Sequence, residues 1–93
     1  MIEHFELRRK IDGKMYQFVR HDKTRFKRSD GDYWIVNRDP YGWIAWDFEA
    51  QDIQGRPWAV LPKDQTDAPP EGDWVSKKGH KSFVYELVYV RSG

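Results

Sequence analysis

The sequence predicts a mainly β protein: one small antiparallel sheet of about five or six strands, curled into a partial barrel or a small sandwich, with at most one short helix. Three observations predict it. Apolar and polar residues alternate with period two along most of the chain, as in strands with one dry face. Turn-forming stretches, Asp12-Gly13 and "RDPYG", separate the alternating runs. No segment sustains the 3.6-residue period of an amphipathic helix, and "WDFEAQDI" is the one short helical candidate.

The elements follow in order. In "HFELRRKI", Phe5, Leu7 and Ile11 alternate with His4, Glu6, Arg8 and Lys10. Asp12-Gly13 suits a two-residue hairpin turn, because both positions need positive φ. "KMYQFVRH" then returns, placing Leu7 opposite Phe18 and Arg9 opposite Tyr16, with Phe5, Leu7, Ile11, Tyr16 and Phe18 on one side. "HDKTRFKRSDGD" reads as a polar loop and "YWIVN" as a short strand of β-branched and aromatic residues. In "RDPYG", Pro40 suits the first central position of a tight turn. "WIAWDFEA" comes back with Ile44, Trp46 and Phe48 on one face and Trp43, Ala45, Asp47 and Glu49 on the other. After "QDIQGRP", "WAVL" is a short strand and "PKDQTDAPPEGD" a loop of prolines and acids. "KSFVYELVYV" is apolar on both faces, as in a central or sandwiched strand, and Arg91-Ser92-Gly93 remain as a short tail.

With 93 residues, the chain is expected to form a single domain over 1–93. The absence of cysteine excludes disulfides and thiolate chemistry. "MIEHFELRRK" has acids and alternation rather than a basic region followed by an apolar run, so it is not read as a signal peptide. No apolar stretch approaches the ~20 residues that span a bilayer as a helix, so a soluble, cytoplasmic protein is expected. Aromatics make up 16% of the chain, and each buried ring removes roughly 150–250 Å² from water, so a small core can rest on few residues.

Four of the five tryptophans fall between Gly31 and Trp58. Trp34 shares a strand with Ile35 and Val36, and Trp46 alternates in register with Ile44 and Phe48, so both fit a core face. Trp43 adjoins a turn on the face carrying Asp47 and Glu49. With Tyr41, and with Trp58 or Trp74, it is the candidate for an exposed patch of the kind that anchors protein interfaces.

The net charge of +1 hides a partition: +5 over residues 1–28, −7 over 29–74 and +3 over 75–93. In the first block Arg20, Lys23, Arg25, Lys27 and Arg28 surround Phe26. That arrangement either holds a phosphate backbone and stacks a base, or is a solvated loop with Phe26 in the core. In the second block Asp64, Asp67, Glu71 and Asp73 lie in a proline-stiffened loop, with Asp47, Glu49 and Asp52 upstream. These are either ordinary loop acids or an acidic face that engages a basic groove on another protein.

Catalytic and metal patterns are thin. His4 and His21 fall opposite each other in the expected hairpin, but no further ligand is spaced to complete a zinc site. Asp30 and Asp32 in "SDGD" lack the later ligands of a calcium loop and read as turn chemistry. Glu86, within an apolar strand, either pairs with Asp47 or Glu49 for acid–base work or meets Arg8, Arg9 or Lys10 across the sheet. No phosphate-binding glycine loop, nucleophile elbow or triad spacing is present. Neither an enzyme nor a cofactor or metal is expected.

In its short, cysteine-free, aromatic-rich β character and segregated charge, the chain is similar to small accessory and inhibitor proteins of bacteriophages and mobile elements. That is a likeness of style without a shared motif. The leading expectation is a non-enzymatic module that occludes or bridges a surface of a larger protein through Tyr41 and Trp43, steered by the acidic residues. The alternative is a nucleic-acid-binding domain using residues 20–28. A purely structural subunit, or a homodimer formed through an edge strand, is the third.

Overall fold

In the computed structural model, which describes residues 2–90, the chain winds into a closed antiparallel barrel of eight strands, each beside its sequence neighbour. These are β1 (His4–Arg9), β2 (Met15–Asp22), β3 (Arg25–Arg28), β4 (Trp34–Arg38), β5 (Gly42–Asp47), β6 (Asp52–Pro57), β7 (Gly72–Lys78) and β8 (Lys81–Val90). β8 pairs with β1 to close the ring, with Leu7 opposite Leu87. Every strand therefore has two neighbours, and the edge-strand dimer weighed from the sequence has no free edge to use. Arg91-Ser92-Gly93, read as a tail, lies outside the described residues.

The strand count exceeds expectation because three strands lack a legible apolar alternation. In β3 only Phe26 is apolar, flanked by cations. β6 turns Gly55 inward where a large side chain would announce a strand, and β7 alternates Trp74 with Ser76 and Lys78. "WAVL", read as a strand, belongs to the β6–β7 loop, and "WDFEAQDI" holds the end of β5, the turn and the start of β6 rather than a helix.

The first hairpin keeps its faces but shifts its register by two. Phe5 faces Phe18 and Leu7 faces Tyr16, because the turn spans four residues and closes with the Arg9 N–H donating to the Lys14 carbonyl at 2.8 Å. A two-residue slip preserves which side chains point inward, so the alternation survives the longer turn. Ile11, expected on the dry side, sits in that turn at 80% exposure. The Arg38–Tyr41 turn places Pro40 at the second central position, with a cis Asp39–Pro40 bond, rather than at the first.

The faces of β4 and β5 are inverted relative to expectation. Ile35 pairs with Ala45 facing inward, so Trp34 and Trp46 pair on the outside. Trp43, expected outside, is a core residue at 0% exposure. Both faces of these strands are rich in apolar residues, and closure of the ring, not alternation, selects the inner one. On the outer face Val36 and Ile44 are nonetheless buried. Arg38, opposite Gly42, reaches across that pair to lie 4.4 Å from the Trp46 ring centroid, and Trp34 meets Phe48 edge-on at 5.6 Å.

An up-and-down barrel has two ends. The β1–β2, β3–β4, β5–β6 and β7–β8 turns share one, here called the mouth; the other connections form the base. The base half is filled by rings: Phe18 stacks on Phe5 at 5.0 Å, Phe5 meets Phe26 at 4.9 Å, and Phe26 meets Trp43 at 5.7 Å. Truncating such a ring to alanine typically costs about 3–5 kcal/mol.

The long β6–β7 loop closes the base, and the polar edges of three aromatic side chains tie it down. Trp43 Nε1 donates to the Thr66 carbonyl at 3.0 Å, Trp74 Nε1 to Pro70 at 2.9 Å, and Tyr89 Oη to Pro69 at 2.6 Å. Ala68 and Pro69 of the loop are buried. These rings from β5, β7 and β8 thus serve as core and as hydrogen-bond anchors at once.

Candidate functional site

The base loop is pinned on its inner side and exposed on its outer side. Trp58, at its start, is 74% exposed although its own N–H is bonded to the Asp73 carbonyl at 2.9 Å. Leu61 is also exposed, directly before a 3₁₀ turn at Pro62–Asp64. Tyr41, in the adjoining β4–β5 turn, is 47% exposed; its neighbour Gly42 lies against Pro62 and Gln65 of the loop. A rigid backbone therefore displays Tyr41, Trp58 and Leu61 to solvent at one end of the barrel.

Trp43 cannot join this set. Its ring is enclosed in the core and its indole N–H is spent on Thr66, so the sequence-based assignment of Trp43 as an exposed anchor is corrected to a structural role. Trp58, weighed only as an accessory from the sequence, is the most exposed of the large aromatic side chains. Leu61 carries no signal of exposure in the sequence, because "WAVL" mimics a buried strand.

The acidic candidates are divided between the two ends. Asp64 and Asp67 are exposed in the base loop beside the aromatic set. Glu71 accepts the Tyr89 N–H at 3.0 Å, and Asp73 pairs with Lys10 at 2.9 Å, which holds the Lys10 ammonium above its ordinary pKa. Asp47 and Glu49 lie at the mouth. There Asp47 Oδ1 accepts the N–H groups of Glu49 and Ala50 at 2.9 and 3.1 Å, as turn-forming aspartates do.

The basic segment is divided between the two faces of the barrel wall, with Arg20, Phe26 and Arg28 inside and Arg25 against Trp34 outside. Phe26 is fully buried and offers no face for a base to stack on. Arg20 lies over the Phe26 ring at 4.4 Å and donates to the carbonyls of Ile2, Asp22 and Lys23 at 2.9, 3.1 and 3.2 Å. Arg25 donates to Asp22 at 2.7 Å, which lowers the Asp22 pKa, and sits over Trp34 at 5.6 Å. Lys27 donates to the Gly31 carbonyl at 3.0 Å, Arg28 stacks between Tyr16 and Tyr33, and Lys23 is exposed.

The expected meeting of His4 and His21 does not occur: His4 faces Val19, and His21 packs edge-on against Trp34 at 5.1 Å. Asp32 accepts the Trp34 indole N–H at 2.8 Å, while Asp30 pairs with Arg28. Glu86 sits opposite Arg8 and Asp73, on a strand that does not pair with β5, which carries Asp47. Among the described residues no cluster of three or more histidine or acidic side chains is placed to hold a metal ion. No protein-family model, curated protein or solved structure matches this chain.

Proposed function

We propose that this chain is a non-enzymatic protein-binding module that docks through its base, with Trp58, Tyr41 and Leu61 as anchors and Asp64 and Asp67 as steering charges. The observation that carries the proposal is Trp58, 74% exposed on a loop whose backbone and inner side chains are bonded to the barrel. A large aromatic held out by an ordered backbone loses little freedom on binding and fits an interface anchor. The base loop carries one lysine, Lys63, against Asp64, Asp67 and Glu71, so the complementary partner surface is an apolar recess bordered by lysines or arginines. In its wider form, the docked base occludes a working surface of a larger protein, as an inhibitor or accessory protein of a phage or mobile element would.

The test is affinity capture by the tagged full chain from a lysate of its source cells, with and without nuclease, for wild type and for a Tyr41→Ala/Trp58→Ala double variant. One protein should be recovered in stoichiometric amount regardless of nuclease and lost with the double variant, whose melting temperature should match wild type. Undiminished recovery by the double variant overturns the proposal. Recovery that collapses with nuclease moves the nucleic-acid alternative, through Lys23 and its neighbours, to first place.

A further inference from the structure

At the mouth the barrel is hollow. A cavity of about 460 Å³ opens there, within the roughly 300–1,000 Å³ usual for small-molecule sites, and mouths of β-barrels are a common place for them. The hollow comes from a row of small residues that strand pairing brings together: Ala45, Gly55 and Ser76 are consecutive partners across β5, β6 and β7. Gly55 admits nothing larger, because a Cβ there would stand 2.9 Å from the Val75 carbonyl oxygen. Tyr16, Phe83 and Tyr85 contribute aromatic wall, and Phe18 and Trp74 of the core cluster form the floor.

Three arginines point into the barrel, and they differ in what their guanidinium groups do. Arg20 is spent on backbone carbonyls. Arg9 is bidentate to Asp12, with Nε–Oδ1 at 3.0 Å and a terminal nitrogen to Oδ2 at 2.6 Å. The Arg28 side chain makes no hydrogen bond among the described residues. Its buried Nε forms an ion pair with Asp30 at 2.5 Å, without hydrogen-bond geometry, which leaves the two terminal nitrogens without a hydrogen-bond partner among those residues. Its guanidinium is stacked against Tyr33, 3.8 Å from that ring's centroid, and Tyr16, at 4.6 Å, and its side chain is 19% exposed. Lys14, Lys77 and Lys78 also line the cavity, where Asp30 is the one carboxylate.

We propose that the mouth cavity is a binding site for a small aromatic carboxylate, with Arg28 as its carboxylate receptor. A guanidinium fixed between two rings presents a planar fork of donors, and a carboxylate accepts such a fork bidentately. The aromatic walls suit a flat apolar body, and the rim lysines favour entry of an anion. The free donors of Arg28 belong to one plane and match a planar carboxylate, while the rim lysines add positive charge without a fixed geometry. This site is at the opposite end of the barrel from the docking surface and stands independently of it.

The test titrates the full chain with naphthalene-2-carboxylate and with the neutral naphthalene-2-carboxamide, by calorimetry and by amide chemical shifts. Saturable one-to-one binding of the carboxylate is expected, with shifts centred on Tyr16, Ser76, Phe83 and Tyr85. The carboxylate should be preferred by about tenfold or more, the range of a charge-assisted hydrogen bond. Arg28→Gln should abolish that preference, and Ala45→Phe, which fills the hollow and leaves Arg28 in place, should abolish binding altogether. Absence of saturable binding by wild type, shifts centred on Tyr41 and Trp58, or a preference that survives Arg28→Gln would each overturn the proposal. The wild-type shift map decides even if a variant does not fold.

Discussion

The backbone N–H of Trp43 donates to the side-chain oxygen of Gln65 at 2.7 Å, and the Gln65 amide donates in turn to the Val60 carbonyl at 3.1 Å. One glutamine thus joins the start of β5 to the loop that closes the base. The approach depends on Gly42, whose φ is +74° and where a Cβ would stand 2.5 Å from that same glutamine oxygen. Gly42→Ala should cost about 1–3 kcal/mol through the left-handed backbone and the displaced Gln65. Urea unfolding measures the loss, and hydrogen exchange should quicken at Trp43 before it does in the centre of the barrel.

Trp43→Phe keeps an aromatic ring in the core but removes the indole N–H that satisfies the Thr66 carbonyl. The expected loss of stability is about 1–3 kcal/mol, the range for a buried acceptor left unpaired. An unchanged unfolding midpoint would refute the structural role assigned to this ring.

Arg20→Lys preserves the charge but not the reach. With the side chain only 7% exposed, the ammonium cannot serve the carbonyls of Ile2, Asp22 and Lys23 together or cover the Phe26 ring. A loss of about 2–3 kcal/mol is expected in thermal melts. A phosphate-binding arginine on an open surface would tolerate the same change with stability intact.

The Arg9 guanidinium holds the Asp12 carboxyl down at about 2. Because the folded-state value is depressed, the ionised pair stabilises the fold above the ordinary carboxylate pKa of about 3.9, and that contribution is lost as pH falls through about 2. Asp12→Asn should therefore melt below wild type at pH 7, with the gap closing as the pH is lowered through that window. The gap should be small, since the pair is at the surface, and a gap that widened on acidification would contradict the assignment.

Much of the fold is legible in residue order alone. The alternation of Phe5, Leu7, Tyr16 and Phe18 indicates the inner face of the first hairpin, and it tolerates an error of two residues in register because side-chain direction repeats every two. Tyr41 and the exposed acids Asp64 and Asp67 are legible as surface from their turn-rich surroundings. The mouth cavity is not, since Ala45, Gly55 and Ser76 are far apart in the chain and carry no pattern of their own. Nor is the role of the basic segment, where the arginine side chains of "RHDKTRFKR" turn inward or lie across rings, a use that composition does not reveal.

Period-two alternation, turn chemistry and the lack of any helical period settle from local residue order that this chain is an antiparallel β protein with an aromatic core. Which tryptophans form that core is a different kind of question. Trp34, Trp43 and Trp46 lie on strands apolar on both faces, so local order permits either side. Pairing β1 with β8 curves the sheet into a ring with a single interior, and the β6–β7 loop supplies carbonyls at one end for the indole and phenol groups of Trp43, Trp74 and Tyr89. Closure places Trp43 and Trp74 inside, leaves Trp34 and Trp46 on the outer wall and Trp58 in solvent, and leaves the mouth hollow beside Arg28, because these outcomes depend on contacts between residues remote in sequence.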